Sequence, residues 1–278
     1  MPNQSASPAS LPPSRRHLLL GLSAVTGLRS AGSLGLLAAC DSESSAGASG
    51  TVTLEPTAPP GSSSPALGVH GLVYNRDGVA HAPLSTKALA TRTAGSTVLV
   101  CVGRGVVSTH ANPTDNKGNA YLQVGSACTY TLWPTSGTAL YVSEQAAGGA
   151  GYVVTAAKPA PADETTLSVV EVINGGQLGE VRWSEVLAGR PQTSESVTTT
   201  GPALLVAWWW GDANVKFDKT AVPDNGFTVI DAILLEGALV QCAVAVRQVS
   251  EAGTWQINWT ATPLQGAQLW IAAVRRRS

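Results

Sequence analysis

Charge is scarce in this sequence, and so are the residues on which common chemistries are built. Asp, Glu, Lys and Arg together make up 13% of its 278 residues, against about a quarter in typical domains. After residue 39 there are 14 basic and 18 acidic residues, a net charge of −4. That is not the basic field on which general nucleic-acid binding depends. There are two Phe and one Met. No C-x-x-C pair, no H-E-x-x-H, no G-x-S-x-G elbow and no G-K-[ST] phosphate loop occurs, which removes the common sequence signals for a zinc site, a serine hydrolase and a nucleotide fold. No stretch of 12 residues shows a 3.6-residue apolar period, so long amphipathic helices are not expected. The first 39 residues contain no acid at all.

That acid-free start has a definite layout. A polar, Pro- and Ser-rich stretch leads to Ser14-Arg15-Arg16-His17, and an apolar run follows over residues 18–28. A cationic segment followed by an apolar run too short to span a bilayer is the pattern of an export signal. The adjacent Arg15 and Arg16 resemble the twin-arginine (Tat) motif. Further on, Leu37-Ala38-Ala39-Cys40 resembles the lipobox of bacterial lipoproteins. The resemblance implies cleavage before Cys40 and transfer of a diacylglyceryl group to its thiolate. It also implies a protein exported across the cytoplasmic membrane and held in the cell envelope by lipid, with the membrane as its partner through Cys40.

Residues 40–66 are rich in Ser, Gly, Ala and Pro and have few large apolar side chains. Little there offsets the entropy of ordering. A tether of about 25 such residues has a coil dimension of roughly 25–30 Å.

From residue 67 to 278 a single domain is expected. Short runs rich in Val, Thr, Leu, Trp and Tyr alternate with Gly, Pro, Asn and Asp clusters. The expected strands cover 97–103, 120–124, 138–144, 151–157, 165–173, 203–210, 227–233, 239–249, 254–262 and 268–274. Val240, Cys242, Val244 and Val246 alternate with more polar neighbours, and so do Trp255, Ile257 and Trp259. One wet and one buried face is the mark of an antiparallel sheet. Residues 97–103 and 203–210 are apolar on both faces and are expected to be central. Asp115-Asn116-Lys117-Gly118-Asn119, Asp224-Asn225-Gly226 and Gly148-Gly149 supply turn chemistry. Single helical turns are conceivable at 182–187 and 231–235. The expected fold is an all-β, two-layer antiparallel β-sandwich, jelly-roll-like, of about ten strands. The body loosely resembles β-sandwich domains of bacterial secreted and surface proteins, through the Asp-Asn-x-Gly-Asn-x-Tyr turn (Asp115 to Tyr121) and Ser196-Val197-Thr198-Thr199-Thr200-Gly201. That resemblance implies no activity. The sequence shows no clear internal repeat.

Removing Cys40 from the count leaves Cys101, Cys128 and Cys242, an odd number that cannot pair fully. One disulfide among three pairings stays open, beside the reading as buried thiols. His70, His81 and His110 read as solvent-exposed loop residues. Glu144 and Glu171 lie in expected strands, where solvated carboxylates are the plain reading and a glycosidase-like pair the sharp one. Asp212, Asn214, Asp218, Asp224 and Asn225 are turn residues that could offer oxygen ligands to calcium. No other cofactor is indicated. Trp208-Trp209-Trp210 shares one strand, so Trp209 points away from its neighbours. With Asp212 and Asn214 it forms the candidate surface for a glycan or protein partner; the bland reading buries all three rings. Arg275-Arg276-Arg277 reads as a frayed basic terminus.

The expected function is a non-enzymatic envelope lipoprotein whose tethered sandwich binds a protein or glycan or serves a structural role. The alternatives are a hydrolase using strand carboxylates, and a subunit of a surface assembly built through edge strands.

Overall fold

In the computed structural model the described residues are 64–75, 82–105, 110–158, 163–174, 176–189, 191–212, 221–234, 240–261 and 266–277. Arg15, Arg16, Leu37, Ala38, Ala39, Cys40, His81, Asn214 and Asp218 lie outside them. Among the described residues there are strands and turns and no helix. The first half of the body carries β1 (Ala66–Asn75), β2 (Leu84–Ser85), β3 (Leu89–Ala90), β4 (Ala94–Arg104), β5 (Thr114–Asp115), β6 (Leu122–Gln123), β7 (Cys128–Tyr130), β8 (Trp133–Ala147), β9 (Ala150–Tyr152), β10 (Val154–Ala156) and β11 (Thr165–Ile173). The second half carries β12 (Gly176–Val186), β13 (Gln192–Thr193), β14 (Val197–Thr199), β15 (Ala203–Asp212), β16 (Val222–Pro223), β17 (Thr228–Ile233), β18 (Val240–Val249), β19 (Gly253–Trp255), β20 (Asn258–Ala261) and β21 (Ala267–Arg276).

The long strands make two antiparallel sheets packed face to face, so the all-β sandwich is what the sequence pattern implied. Sheet I has the order β1-β11-β4-β8-β6, with β7 also pairing β8; sheet II has the order β12-β21-β15-β18-β17. β4 and β15, apolar on both faces, are central. The connectivity is not that of a jelly roll, in which the chain alternates between the layers. Here each half of the chain completes one sheet before the other begins. The single helical turns conceivable at 182–187 and 231–235 are strand instead, in β12 and β17. Residues 254–262 divide into β19 and β20.

The two halves are the same unit built twice. Ordering the long strands of each half by sequence gives first-fourth-second-third in both sheets. The registers agree as well. In sheet I, His70 pairs Val170, which pairs Leu99, which pairs Val142, which pairs Leu122. In sheet II the row reads Val181, Ala272, Val206, Val246, Thr228. The first strand bulges at the same place in each, between Leu67 and His70 and between Leu178 and Val181. β6 and β7 together occupy the edge that the single β17 occupies in sheet II. The short strands repeat too. β2-β10-β5 and β3-β9 correspond to β13-β20-β16 and β14-β19. Even a side-chain bond is duplicated: Thr86 Oγ1 accepts from Val154 N at 3.1 Å, and Ser194 Oγ from Ile257 N at 3.2 Å. The repeat missing from the sequence is therefore present in the fold.

Three cores result. Leu99, Cys101, Leu140, Val142, Val170 and Val172 of sheet I meet Val206, Trp208, Trp210, Val244, Trp270 and Val274 of sheet II between the layers. The outer face of sheet I is covered by its short strands around Val100, Tyr121, Tyr152 and Leu167. The outer face of sheet II is covered likewise around Leu205, Trp209, Phe227, Ile257 and Trp259. Inter-sheet contacts are reciprocal. β11 lies against β18, while Trp270 of β21 donates to Thr138 Oγ1 of β8 at 2.8 Å. β1 lies against β15, while β12 lies against β4. This is the relation between protomers of an isologous dimer, here within one chain.

At the interface the equivalent positions are complementary rather than alike. Trp183, Trp208, Trp210 and Trp270 of sheet II occupy the positions that Leu72, Cys101, Gly103 and Ser168 hold in sheet I. A Cβ on Gly103 would fall inside the indole of Trp210, its own counterpart. Trp208 Nε1 donates to Ser168 Oγ at 3.0 Å. Large side chains on one sheet thus fill the space that small ones leave on the other.

Candidate functional site

The strand ends define two poles. β1, β4, β12 and β15 begin, and β8, β11, β18 and β21 end, at the pole where the chain first joins the body. The opposite pole carries the starts of β8, β11, β18 and β21 and the ends of β4, β12 and β15. A buried group of charged side chains of the first half, with His110, gathers at this far pole.

Arg104, the last residue of β4, is 1% exposed and Asp163 is fully buried. The guanidinium donates to Ala157 O at 2.6 Å and lies 3.7 Å from Asp163 Oδ2. Thr165 Oγ1 also donates to that oxygen, at 3.4 Å. Lys158 and Glu164, chain neighbours of those partners, are buried as well. Two cations and two carboxylates balance formally, as buried charges require. His110 sits beside this group. Burial first, and the Arg104 charge second, push its pKa down to about 3, so the ring is neutral at physiological pH. Neither ring nitrogen has a partner among the described residues. The phenol of Tyr141, raised to about 12 chiefly by burial, donates to Ala111 O at 3.2 Å. The cluster braces three separate chain segments, at 104, 157 and 163.

The sign of the His110 effect is definite. The unfolded ring titrates near 6.5 and the folded one near 3. Between those values the unfolded state binds more protons, so stability falls as the pH is lowered through that window. The expected slope from this residue is at most ~1.4 kcal/mol per pH unit. His110→Gln is expected to flatten that part of the curve, as read by urea denaturation at a series of pH values.

Around the same pole lies an apolar rim. Leu132 and Trp133, at the β7–β8 tip, are 47% and 42% exposed, and Leu187, just past β12, is 44% exposed. Thr131 fastens the tip to the end of β12: its N and Oγ1 donate to the Glu185 carboxylate at 2.6 and 2.5 Å. Sequence reasoning misses Leu132 and Trp133, because a Leu-Trp pair next to a Pro in a turn has no periodicity to mark it.

The other sequence candidates are placed as follows. Trp209 is fully buried on the outer face of sheet II and donates to Gln192 Oε1, so it presents no ring to solvent; Trp208 and Trp210 are buried between the sheets. Asp212 ends β15 opposite Val240. Glu144 and Glu171 do not converge. Glu171 is 2% exposed, not solvated, and on the outer face it accepts from Val69 N at 3.1 Å, Arg92 N at 2.8 Å and Ser96 Oγ at 2.6 Å. Glu144 instead reaches sheet II, accepting from Leu178 N at 2.9 Å and Arg277 at 2.8 Å. His70, expected in a loop, lies in β1, with Nδ1 2.7 Å from Asp231 Oδ2 of β17.

The two Asp-Asn turns follow counterpart strands, β5 and β16, but one residue out of step, so that Asp224 stands where Thr114 does. Asp115 accepts from Tyr121 and Tyr152 hydroxyls at 2.9 and 2.8 Å, and from Asn119 Nδ2 at 2.8 Å. Burial opposes its ionisation, but these bonds and those from the Asn119 and Lys117 backbone outweigh it and hold the carboxyl below its usual range. Asp224 accepts from Asn258 N and Nδ2 at 3.0 and 2.7 Å. Cys101, Cys128 and Cys242 are free thiols. Burial, then Cys242 and Cys128, raises Cys101 well above the ordinary thiol range, which keeps it protonated and unreactive.

Comparison with known proteins finds no matching protein family, no matching curated protein and no matching solved structure.

Proposed function

We propose that this chain is an exported lipoprotein of the bacterial cell envelope, whose duplicated β-sandwich is carried on a tether from Cys40 and engages a protein partner at its far pole. The observation that carries this reading is the order of segments. Arg15-Arg16, an apolar run and Leu37-Ala38-Ala39-Cys40 come first, then a polar stretch, then a β body whose first strand starts at Ala66. A protein partner is favoured over a glycan because the exposed ring at the far pole, Trp133, is flanked by Leu132 and Leu187. That apolar setting resembles a protein interface core more than a sugar cleft. A hydrolase built on Glu144 and Glu171 is disfavoured, since each carboxylate is engaged on a different side of sheet I.

The anchor is tested by mass spectrometry of the mature protein from its native host. The expected product begins at Cys40 and carries the mass of a diacylglyceryl group and any further acyl chain. A mature chain that begins elsewhere, or an unmodified Cys40, would sink the reading.

A further inference from the structure

The pole where the tether joins the body is also where cations collect. Three of the fourteen Lys and Arg after residue 39 are Arg275, Arg276 and Arg277. They do not form a frayed end. Arg275 pairs with Gln177 and Ala203, and Arg276 pairs with Gly176, so both belong to the ladder of sheet II. Arg277 is held by Glu144 at 2.8 Å. All three are exposed. The start of the body is fixed at the same place: Asn174, two residues before β12, donates from Nδ2 to Ser64 O at 2.9 Å. Arg92, also exposed, joins this pole through its backbone bond to Glu171. The acids there include Glu144, already engaged, Glu251 in the turn after β18, and Glu171, which is buried and holds the Val69, Arg92 and Ser96 donors. In a body of nearly balanced charge, with 14 basic and 15 acidic residues from 67 to 278, the exposed side chains of this pole carry a local cationic excess, and part of it is mounted on a paired strand.

We propose that this pole seats on anionic lipid headgroups, with Arg275 and Arg276 making the contact. The inference rests on the lipoprotein reading, because the tether brings this pole, and not the other, nearest to the bilayer. The diacylglyceryl group already supplies the two chains that stable anchoring needs, so the basic surface serves to orient the body on the membrane and not to attach it. Arginines held by strand pairing have less freedom to lose on contact than those of a loose tail. The ten-residue strands then raise the Leu132–Trp133 tip roughly 33 Å from the seated pole, facing away from the membrane.

The test uses the exported form from residue 40 with Cys40→Ser, which removes the acyl chains. It is mixed with vesicles containing about 30% phosphatidylglycerol, or with pure phosphatidylcholine, in about 0.1 M salt. Binding to the anionic vesicles alone is expected, with loss of binding at about 0.5 M salt. The double variant Arg275→Gln/Arg276→Gln is expected to weaken partitioning about thirtyfold. If the double variant is unstable, the salt titration on the unsubstituted surface decides the matter by itself. Equal binding to both vesicle types, salt-insensitive binding, or no binding overturns the proposal. The two readings fail separately. An acylated Cys40 with no anionic binding removes only the seat; an unmodified Cys40 with intact anionic binding removes only the anchor.

Discussion

Exchanging Gly103 and Trp210 in one double variant is expected to restore stability that each single change removes. The two residues are counterparts in the duplicated unit and face each other between the sheets. A Cβ on Gly103 would meet the Trp210 indole, so Gly103→Trp alone overfills a closed core and is expected to cost about 3 kcal/mol. Trp210→Gly alone removes a ring that is 1% exposed. Its expected cost is ~3–5 kcal/mol, from lost burial and the void left behind. In the double variant the indole returns from the opposite sheet into the same space. A coupling of about 2 kcal/mol or more is expected, read as a double-mutant cycle by urea denaturation. A double variant no more stable than the worse single one would show that these sites are not equivalent.

The second large effect concerns the halves themselves. If the chain is cut at a protease site placed at residue 175, the fragments are expected to stay together as a folded 1:1 pair. Separated, each loses its partner across the inter-sheet core and is expected to unfold or aggregate, because its inner face is a continuous apolar surface. Remixed, they are expected to pair heterologously. Two copies of the second half would set Trp183, Trp208, Trp210 and Trp270 against the same set and overfill the core. Two copies of the first would set Leu72, Cys101, Gly103 and Ser168 against their like and leave voids costing about 24 cal/mol per Å³. Analytical ultracentrifugation of the separate and mixed fragments decides it. A stable, folded homodimer of either half would refute the complementarity.

Much of the layering is legible in the residues. β4 and β15 are central because no polar position interrupts residues 98–103 of one or 203–211 of the other, and a strand with both faces apolar must be covered on both. The alternation of Val240, Cys242, Val244 and Val246 identifies one face of β18 correctly. β1 and β12 escape such reading, since their Gly, His, Arg and Glu residues dilute the period and each carries a bulge that resets it. The duplication is hidden for a different reason. Equivalent positions need only fill complementary volumes, so Trp stands in one half where Cys, Gly and Ser stand in the other, without disturbing the register. What survives as letters is sparse: Leu67-Gly68 and Leu178-Gly179 at the bulge, Leu167 and Leu269, and Val172 and Val274. The buried roles of Glu171, Arg104 and His110 are not legible. Donors for Glu171, for example, come from residues 69, 92 and 96. Such convergence is a property of the ladder and not of any local pattern.

The link from Ile173 to Gly176 joins the halves beside the point where Ser64 is held and beside the ladder that ends at Arg276. The beginning, middle and finish of the body therefore share one neighbourhood. A circular permutant that opened the backbone at 175 and bridged residue 277 to 64 would present the same three layers of apolar packing with the halves in reverse order. Sequence order is thus a weak constraint on this architecture, and the pairing of unlike halves a strong one.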